Sequence, residues 1–282
     1  MKKVLIPTDF SENAYAALLY ITKLYRDEPL QITLLHSFGE EVGKLTSRVD
    51  IGRSESIIEK LYRQSDEDGL ALVKQIKLDS PKIAHSYEVI STPAALSNTI
   101  NTLVATEGMD LVVMGSKGRT STEDILMGST TIKITKSIEA CPLLIIPRNI
   151  DFVVPINIAF ATDYKDFYPI SSLKPIVRLV RQYDSIIHLV HVGGEKEMDV
   201  AQKQNLENFK NDLTEYDSEF HFIPKKENIS KTLHTFIDGH NIDLFALVYH
   251  KHAFLKQLFR EPVVNRVGKH AHVPTLVVPL SS

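Results

Sequence analysis

The stretch KKVLIPTDFSENAYAALLYITKLY, Lys2 to Tyr25, carries a strand, a turn and a helix in that order. Val4, Leu5 and Ile6 form an apolar run that ends at Pro7, and Thr8-Asp9 reads as the turn. Ser11 is expected to cap the helix, with Ala14, Ala17, Leu18, Ile21 and Leu24 on one stripe. A strand followed at once by an amphipathic helix is the opening of a βα unit, the building block of parallel sheets.

The alternation continues outward from this stretch. QITLLHSF (31–38) is the next strand, and a polar stretch with glycines, Gly39 to Gly52, leads to a long helical region ending near Asp79. AHSYEVI (84–90) is a third strand. The segment 91–108 is a helix, with Thr92 as cap and Pro93 at the first helical position. DLVVMG (110–115) is continuous and apolar, as strands buried on both faces are. A helix from about Gly128 to Glu139 and the strand PLLIIP (142–147) complete the set.

The second half repeats the order. INIAFATDYKD (156–166) aligns with KKVLIPTDFSE (2–12), placing Thr162-Asp163 over Thr8-Asp9. SIIHLVHVG (185–193) aligns with QITLLHSFG, placing His191 over His36; NIDLFALVYH (241–250) and HVPTLVVP (272–279) match the last two strands. The period is too long for a solenoid, so an internal duplication is the simplest account. The expected fold is α/β: two open parallel five-stranded sheets with helices on both faces, in tandem, as domains 1–148 and 154–282.

Composition bounds the function. The chain has 282 residues, 43% hydrophobic and 24% charged, and a formal net charge of -3. That balance offers no basic face for phosphate neutralisation, so no nucleic-acid partner is expected. The single cysteine, Cys141, excludes an internal disulfide and suits a reducing, cytoplasmic compartment; buried and inert is its expected state. No apolar run approaches the roughly 20 residues of a spanning helix, so no membrane partner is expected. The apolar part of MKKVLIPTDF is too short for a signal core.

The chemistry-bearing stretch is VVMGSKGRTSTEDILMGSTT, Val112 to Thr131. It leaves the carboxyl end of the fourth strand, where open parallel sheets bind ligands. Gly115 and Gly118 let the backbone approach a ligand closely, and Gly128-Ser129-Thr130 stands at a helix start, whose unpaired N–H groups favour an anion. Glycines serving turn geometry alone are the competing reading. The stretch is not a Walker A loop, since no Gly-Lys-Ser/Thr follows. Nor is it a Rossmann fingerprint, since it follows the fourth strand with a different spacing. Lys117 and Arg119 are phosphate contacts or solvated loop charges.

With its spacing of Gly115, two residues, Gly118, nine residues, Gly128 and Ser129, the chain resembles the universal stress proteins in tandem form. VLIPTDFSENA, ITLLHSF, DLVVMGSKG and CPLLIIP are similar to that family's landmarks, and the resemblance spans essentially the whole chain. It implies a Rossmann-like fold of the adenine nucleotide alpha hydrolase type and an ATP-binding role for the first half, ATP with or without magnesium being the cofactor. Carried over by position, Pro7, Thr8 and Asp9 would border adenine and ribose. Ser37 would meet the adenine edge through its backbone, and Met114 would pack near the ribose or base. Gly115, Gly118, Gly128, Ser129 and Thr130 would hold the phosphates. The family often has valine where Ser37 stands and glycine where Thr92 stands.

In the second half Asp163 persists, but the segment after the fourth strand, Tyr249 to Phe254, has no glycine, and Glu261 near the position of Gly128-Ser129 would repel phosphate. This half is expected not to hold ATP in the same manner and to act as a packing partner for the first. A homodimer of tandem chains is also expected, through the apolar closing strands. Nine of the eleven histidines lie after residue 150. Two pairs, His250 with His252 and His270 with His272, are either surface or inter-domain histidines or the candidates for a metal site; no Cys or nearby carboxylate completes a set, and no metal is expected. His36 and His191 are expected to pack. The function this supports is a nucleotide-binding regulatory stress protein and not a committed enzyme. The alternatives are a slow ATPase or phosphate-transfer enzyme, and a nucleotide-free interaction module.

Overall fold

The computed structural model describes residues 1–46, 51–81, 85–118, 127–138, 140–148, 150–225, 229–249 and 273–279. The chain divides into two compact units, Met1–Phe152 and Val153–Ser282.

The first unit holds the strands β1 (Lys2–Pro7), β2 (Leu30–Ser37), β3 (Ser86–Thr92), β4 (Leu111–Gly115) and β5 (Leu143–Ile146). They lie in the order β3-β2-β1-β4-β5, and every pair within this order is parallel. The chain steps one way from β1 to β3 and then crosses to β4, so a topological switch lies between β1 and β4. Its carboxyl ends are Pro7 and Gly115. Val4, Leu5 and Ile6 are at most 1% exposed, which explains why β1 is short, unbroken and apolar.

The connecting helices are α1 (Glu12–Leu24), α2 (Gly39–Thr46), α3 (Ile51–Asp79), α4 (Leu96–Glu107) and α5 (Ser129–Ser137). α1 packs against α3, and α4 against α5, as expected when crossovers run in opposite directions from the switch point. Ser11 caps α1, its Oγ accepting from Ala14 N at 3.3 Å, and Ala14, Ala17, Leu18, Ile21 and Leu24 are buried. In mid-α3, Gly69 lies so close to β3 that a Cβ there would sit 2.5 Å from Val89 Cγ1.

Two local expectations change. Gly39 to Thr46, expected only as a polar stretch with glycines before the long helical region, is itself helical, with Glu40 and Glu41 in the first turn favouring the helix dipole. Thr92 does not cap the fourth helix. It ends β3, where its Oγ1 accepts from Ala94 N at 3.1 Å, and α4 starts after Ala95. The ladder to Ser37 keeps Thr92 extended, and this tertiary pairing overrides its capping propensity.

The second unit holds β6 (Asn157–Ala161), β7 (Ile186–Val192), β8 (Ser218–Ile223), β9 (Leu244–Tyr249) and β10 (Thr275–Pro279). Their order is β10-β9-β6-β7-β8, again parallel throughout, with the switch between β6 and β9. A 3-10 turn (Ile170–Leu173) precedes α6 (Lys174–Tyr183), followed by α7 (Val200–Asp212) and α8 (Ile229–Gly239). Asp199 and Gln202 close a capping box on α7. Among the described residues, no helix is long and apolar enough to cross a membrane.

Candidate functional site

At the switch point of the first unit, three segments converge. β1 ends in Pro7, and the chain turns through Thr8, Asp9 and Phe10. Thr8 N donates to Leu35 O at 2.9 Å, so the turn is pinned to β2. Thr8 Oγ1 accepts from Phe10 N at 3.0 Å, and Asp9 Oδ1 accepts from Ser11 N at 3.1 Å. These bonds hold Phe10 in the left-handed region at φ 58, where a non-glycine residue needs such support. Phe10 packs on His36 with ring centroids 4.6 Å apart.

The second segment leaves β4. A Cβ on Gly115 would lie 2.5 Å from Asn13 Nδ2 and 3.0 Å from the Asn13 carbonyl oxygen; one on Gly118 would lie 2.9 Å from Asp9 Oδ2. Both glycines are therefore places of close approach, Gly115 to the first turn of α1 and Gly118 to the Asp9 carboxylate. Asn13 Nδ2 donates to Lys117 O at 2.6 Å and anchors the loop between the two glycines. Asn13 is buried, and its Oδ1 has no hydrogen-bond partner among the described residues.

The third segment is the start of α5. Gly128 N donates to Ser116 O at 2.8 Å, closing the loop that leaves β4, and Thr131 Oγ1 donates to Gly115 O at 3.1 Å. The first bond of the α5 ladder is Ile132 N to Gly128 O. The N–H groups of Ser129, Thr130 and Thr131 precede that bond and have no intrahelical acceptor, and the side chains of Ser129 and Thr130 are exposed. Gly128 has φ -66 and ψ 153, angles open to any residue.

The structure thus brings Thr8, Asp9, Gly115 and Gly118 together with Gly128, Ser129 and Thr130 at one sheet edge. Ser37 ends β2, and its Oγ donates to Ala94 O at 2.7 Å. Met114 is buried within β4. Residues 119–126, Arg119 among them, lie outside the described residues. Asn13 was missed, because an asparagine in a helix's first turn carries no distinctive signal. So was a chain of hydrogen bonds from His36 Nδ1 to Ser65 Oγ (2.8 Å), on to Ser91 Oγ (2.7 Å) and Asp66 Oδ1 (2.6 Å), which ties α3 to β2 and β3.

The second unit repeats the turn with different surroundings. Thr162 N donates to Val190 O, Thr162 Oγ1 accepts from Tyr164 N at 3.0 Å, Asp163 Oδ1 accepts from Lys165 N at 3.1 Å, and Tyr164 has φ 54. Here α7 closes over the turn: Gln202 Nε2 donates to Asp163 O at 2.7 Å and Asn205 Nδ2 to Tyr164 O at 2.9 Å. Tyr164 is wholly buried among His191, Phe209 and Phe222, and burial raises its phenol pKa. His191 is buried, as expected, with Nδ1 against Thr162 O at 3.1 Å. His250, His252, Glu261, His270 and His272 lie outside the described residues. Cys141 is buried, its Sγ donating to Met109 O; burial first, then the Asp110 carboxylate, push the thiol up to about 12, far from a reactive thiolate.

The family model described as the universal stress protein family matches residues 1–147. The universal stress protein MJ0577 of Methanocaldococcus jannaschii is 28% identical over 155 residues, 52% of this chain and 95% of that protein. YxiE of Bacillus subtilis, also a universal stress protein, is 23% identical over 145 residues, covering 51% of this chain and 97% of its own. A universal stress protein from Archaeoglobus fulgidus has the same fold along 98% of this chain and 96% of its own, with a TM-score of 0.67 at 18% identity. With its glycine-bearing switch point and a family match over more than half its length, the chain belongs to the universal stress protein family.

Proposed function

We propose that the first unit binds an adenine nucleotide, ATP with or without magnesium, and that the protein acts as a regulatory stress protein. The observation that carries this reading is the closure of the loop after β4 by the Gly128 N to Ser116 O bond. That bond sets the unpaired amides of the α5 start beside two glycine close-approach points and the Asp9 turn. Amides at a helix start favour phosphate by hydrogen bonding and by the helix dipole. Asp9 is the acceptor for a ribose hydroxyl, and Pro7, Thr8, Met114 and the main chain of Ser37 line the base side. Gly115, Gly118, Ser129 and Thr130 hold the phosphates, and Gly128 shapes the approach, since its own N–H is already bonded. Nucleotide regulates by binding one conformer better than another.

The test is equilibrium binding of ATP to the full chain, with and without magnesium, together with analysis of nucleotide carried through purification. Gly118→Val is expected to lower ATP affinity by about 100-fold, some 2.7 kcal/mol, with little change in melting temperature, because the atom it meets is the end of the Asp9 side chain. Unchanged affinity in that variant would remove the loop from the site. A time course of ADP formation distinguishes binding from turnover.

A further inference from the structure

The second unit carries a cluster of side chains that the nucleotide reading does not use. His188 lies on β7, and Glu219 and His221 on β8, the edge strand of its sheet. His188 is in register with Glu219, and His221 is two residues further along, so all three project from one face of the parallel pair. His188 Nδ1 is 3.1 Å from His221 Nε2, and Glu219 Oε2 is 3.4 Å from each of those nitrogens. We propose that His188, Glu219 and His221 form a site for a divalent transition-metal ion of the zinc class.

The spacing is the first argument. Tetrahedral zinc with bonds of roughly 2.1 Å separates its ligand atoms by about 3.4 Å. The three distances here are close to those edges, and all three atoms lie within 4.8 Å of one another. The second argument is what orients the buried ring. Asn157 Nδ2 donates to Asn241 O at 3.3 Å, which turns Asn157 Oδ1 toward His188 Nε2 at 3.2 Å. That nitrogen therefore carries the proton, and the lone pair sits on Nδ1, toward His221 and Glu219. A metal-bound histidine commonly has its other nitrogen held in this way.

The surroundings complete the case. His188 is 5% exposed, and Phe236 stands against the His221 ring at 4.8 Å between centroids. The Glu219 side chain is 55% exposed, which leaves an entry path and an open coordination position. His240 stands 5.2 Å from His221, ring to ring, with Nδ1 on its own helix at Phe236 O. Two imidazoles and one carboxylate suit zinc, cobalt or nickel, whereas magnesium and calcium prefer oxygen alone.

The experiment uses the full chain, stripped with a chelator and titrated with Co²⁺ and then Zn²⁺. One equivalent of cobalt is expected to bind with the visible absorption of a four-coordinate site, and zinc is expected to displace it. Glu219→Gln and His221→Asn should each weaken binding by about 100-fold, and Asn157→Ala by about 10-fold, the effect of losing an outer partner. Glu219→Gln alters an exposed side chain, and an unchanged melting temperature will show it folded. A chain carrying His250→Ala, His252→Ala, His270→Ala and His272→Ala should retain the cobalt spectrum. The proposal is overturned if Glu219→Gln and His221→Asn bind cobalt as the native chain does, if the native chain binds none, or if only the fourfold variant loses it.

Discussion

The turns after β1 and β6 share the same bonds but differ in what packs on them. In both, a threonine hydroxyl and an aspartate carboxylate each accept from a main-chain N–H, and an aromatic residue sits in the left-handed region. In the first unit the aromatic residue, Phe10, is only partly buried, and the glycine-bearing loop from β4 passes over Asp9. In the second, Tyr164 is wholly buried, and two amide side chains of α7 take the carbonyls of Asp163 and Tyr164. One turn faces the glycine-bearing loop, whereas the other is covered by α7. The difference teaches that a duplicated turn can keep its own hydrogen bonds while its surroundings diverge.

The comparison breaks most visibly at Gly115. A valine there meets the main-chain oxygen of Asn13 as well as its side chain, so Gly115→Val is expected to destabilise the first unit by about 3 kcal/mol, as overpacking does. Denaturant unfolding of the full chain checks this, and the transition assigned to the second unit should not move.

A smaller effect sharpens the functional contrast. Asp9→Asn is expected to lower ATP affinity about tenfold, roughly one charge-assisted hydrogen bond. Asp163→Asn should leave ATP affinity unchanged. Titration calorimetry on both variants decides it, and equal losses would mean that the two turns serve alike.

Smaller again is the effect at the covered turn. The Tyr164 hydroxyl is buried and has no hydrogen-bond partner among the described residues. Removing an unsatisfied buried hydroxyl costs no bond, so Tyr164→Phe is expected to leave the second unit unchanged or up to about 1 kcal/mol more stable. Thermal unfolding measures it, and a clear loss of stability would reveal a partner for the hydroxyl.

The smallest effect is a pH response of the first unit. His85 Nδ1 accepts from Leu30 N at 3.0 Å, the ring is 6% exposed, and burial lowers its pKa from 6.5. The neutral form is the one the fold holds, so the unfolded chain takes up the proton first. Stability should be complete above about pH 6.5 and fall as pH drops below it toward the depressed native value. His85→Gln should flatten that slope in unfolding measured between pH 7 and pH 5.

Much of this could be read from neighbouring residues. The apolar run Val4 to Ile6, the Ser11 cap and the continuous strand ending at Gly115 each declare a βα unit, because strand period, capping and turn chemistry act over a few positions. The repeated Thr-Asp pair marked both sheet edges for the same reason. Thr92 was misread where local capping competed with a ladder to Ser37, and the ladder prevailed.

By itself, then, the sequence determined two parallel α/β arrays and placed the bare-backbone segment at the carboxyl edge of the first. Tertiary structure alone decided that Asn13 underlies Gly115, that α7 packs on the turn at Tyr164, and that His188 meets Glu219 and His221. Those contacts join residues tens of positions apart. Their register is set by how whole strands and helices pack, which no local pattern of residue types records.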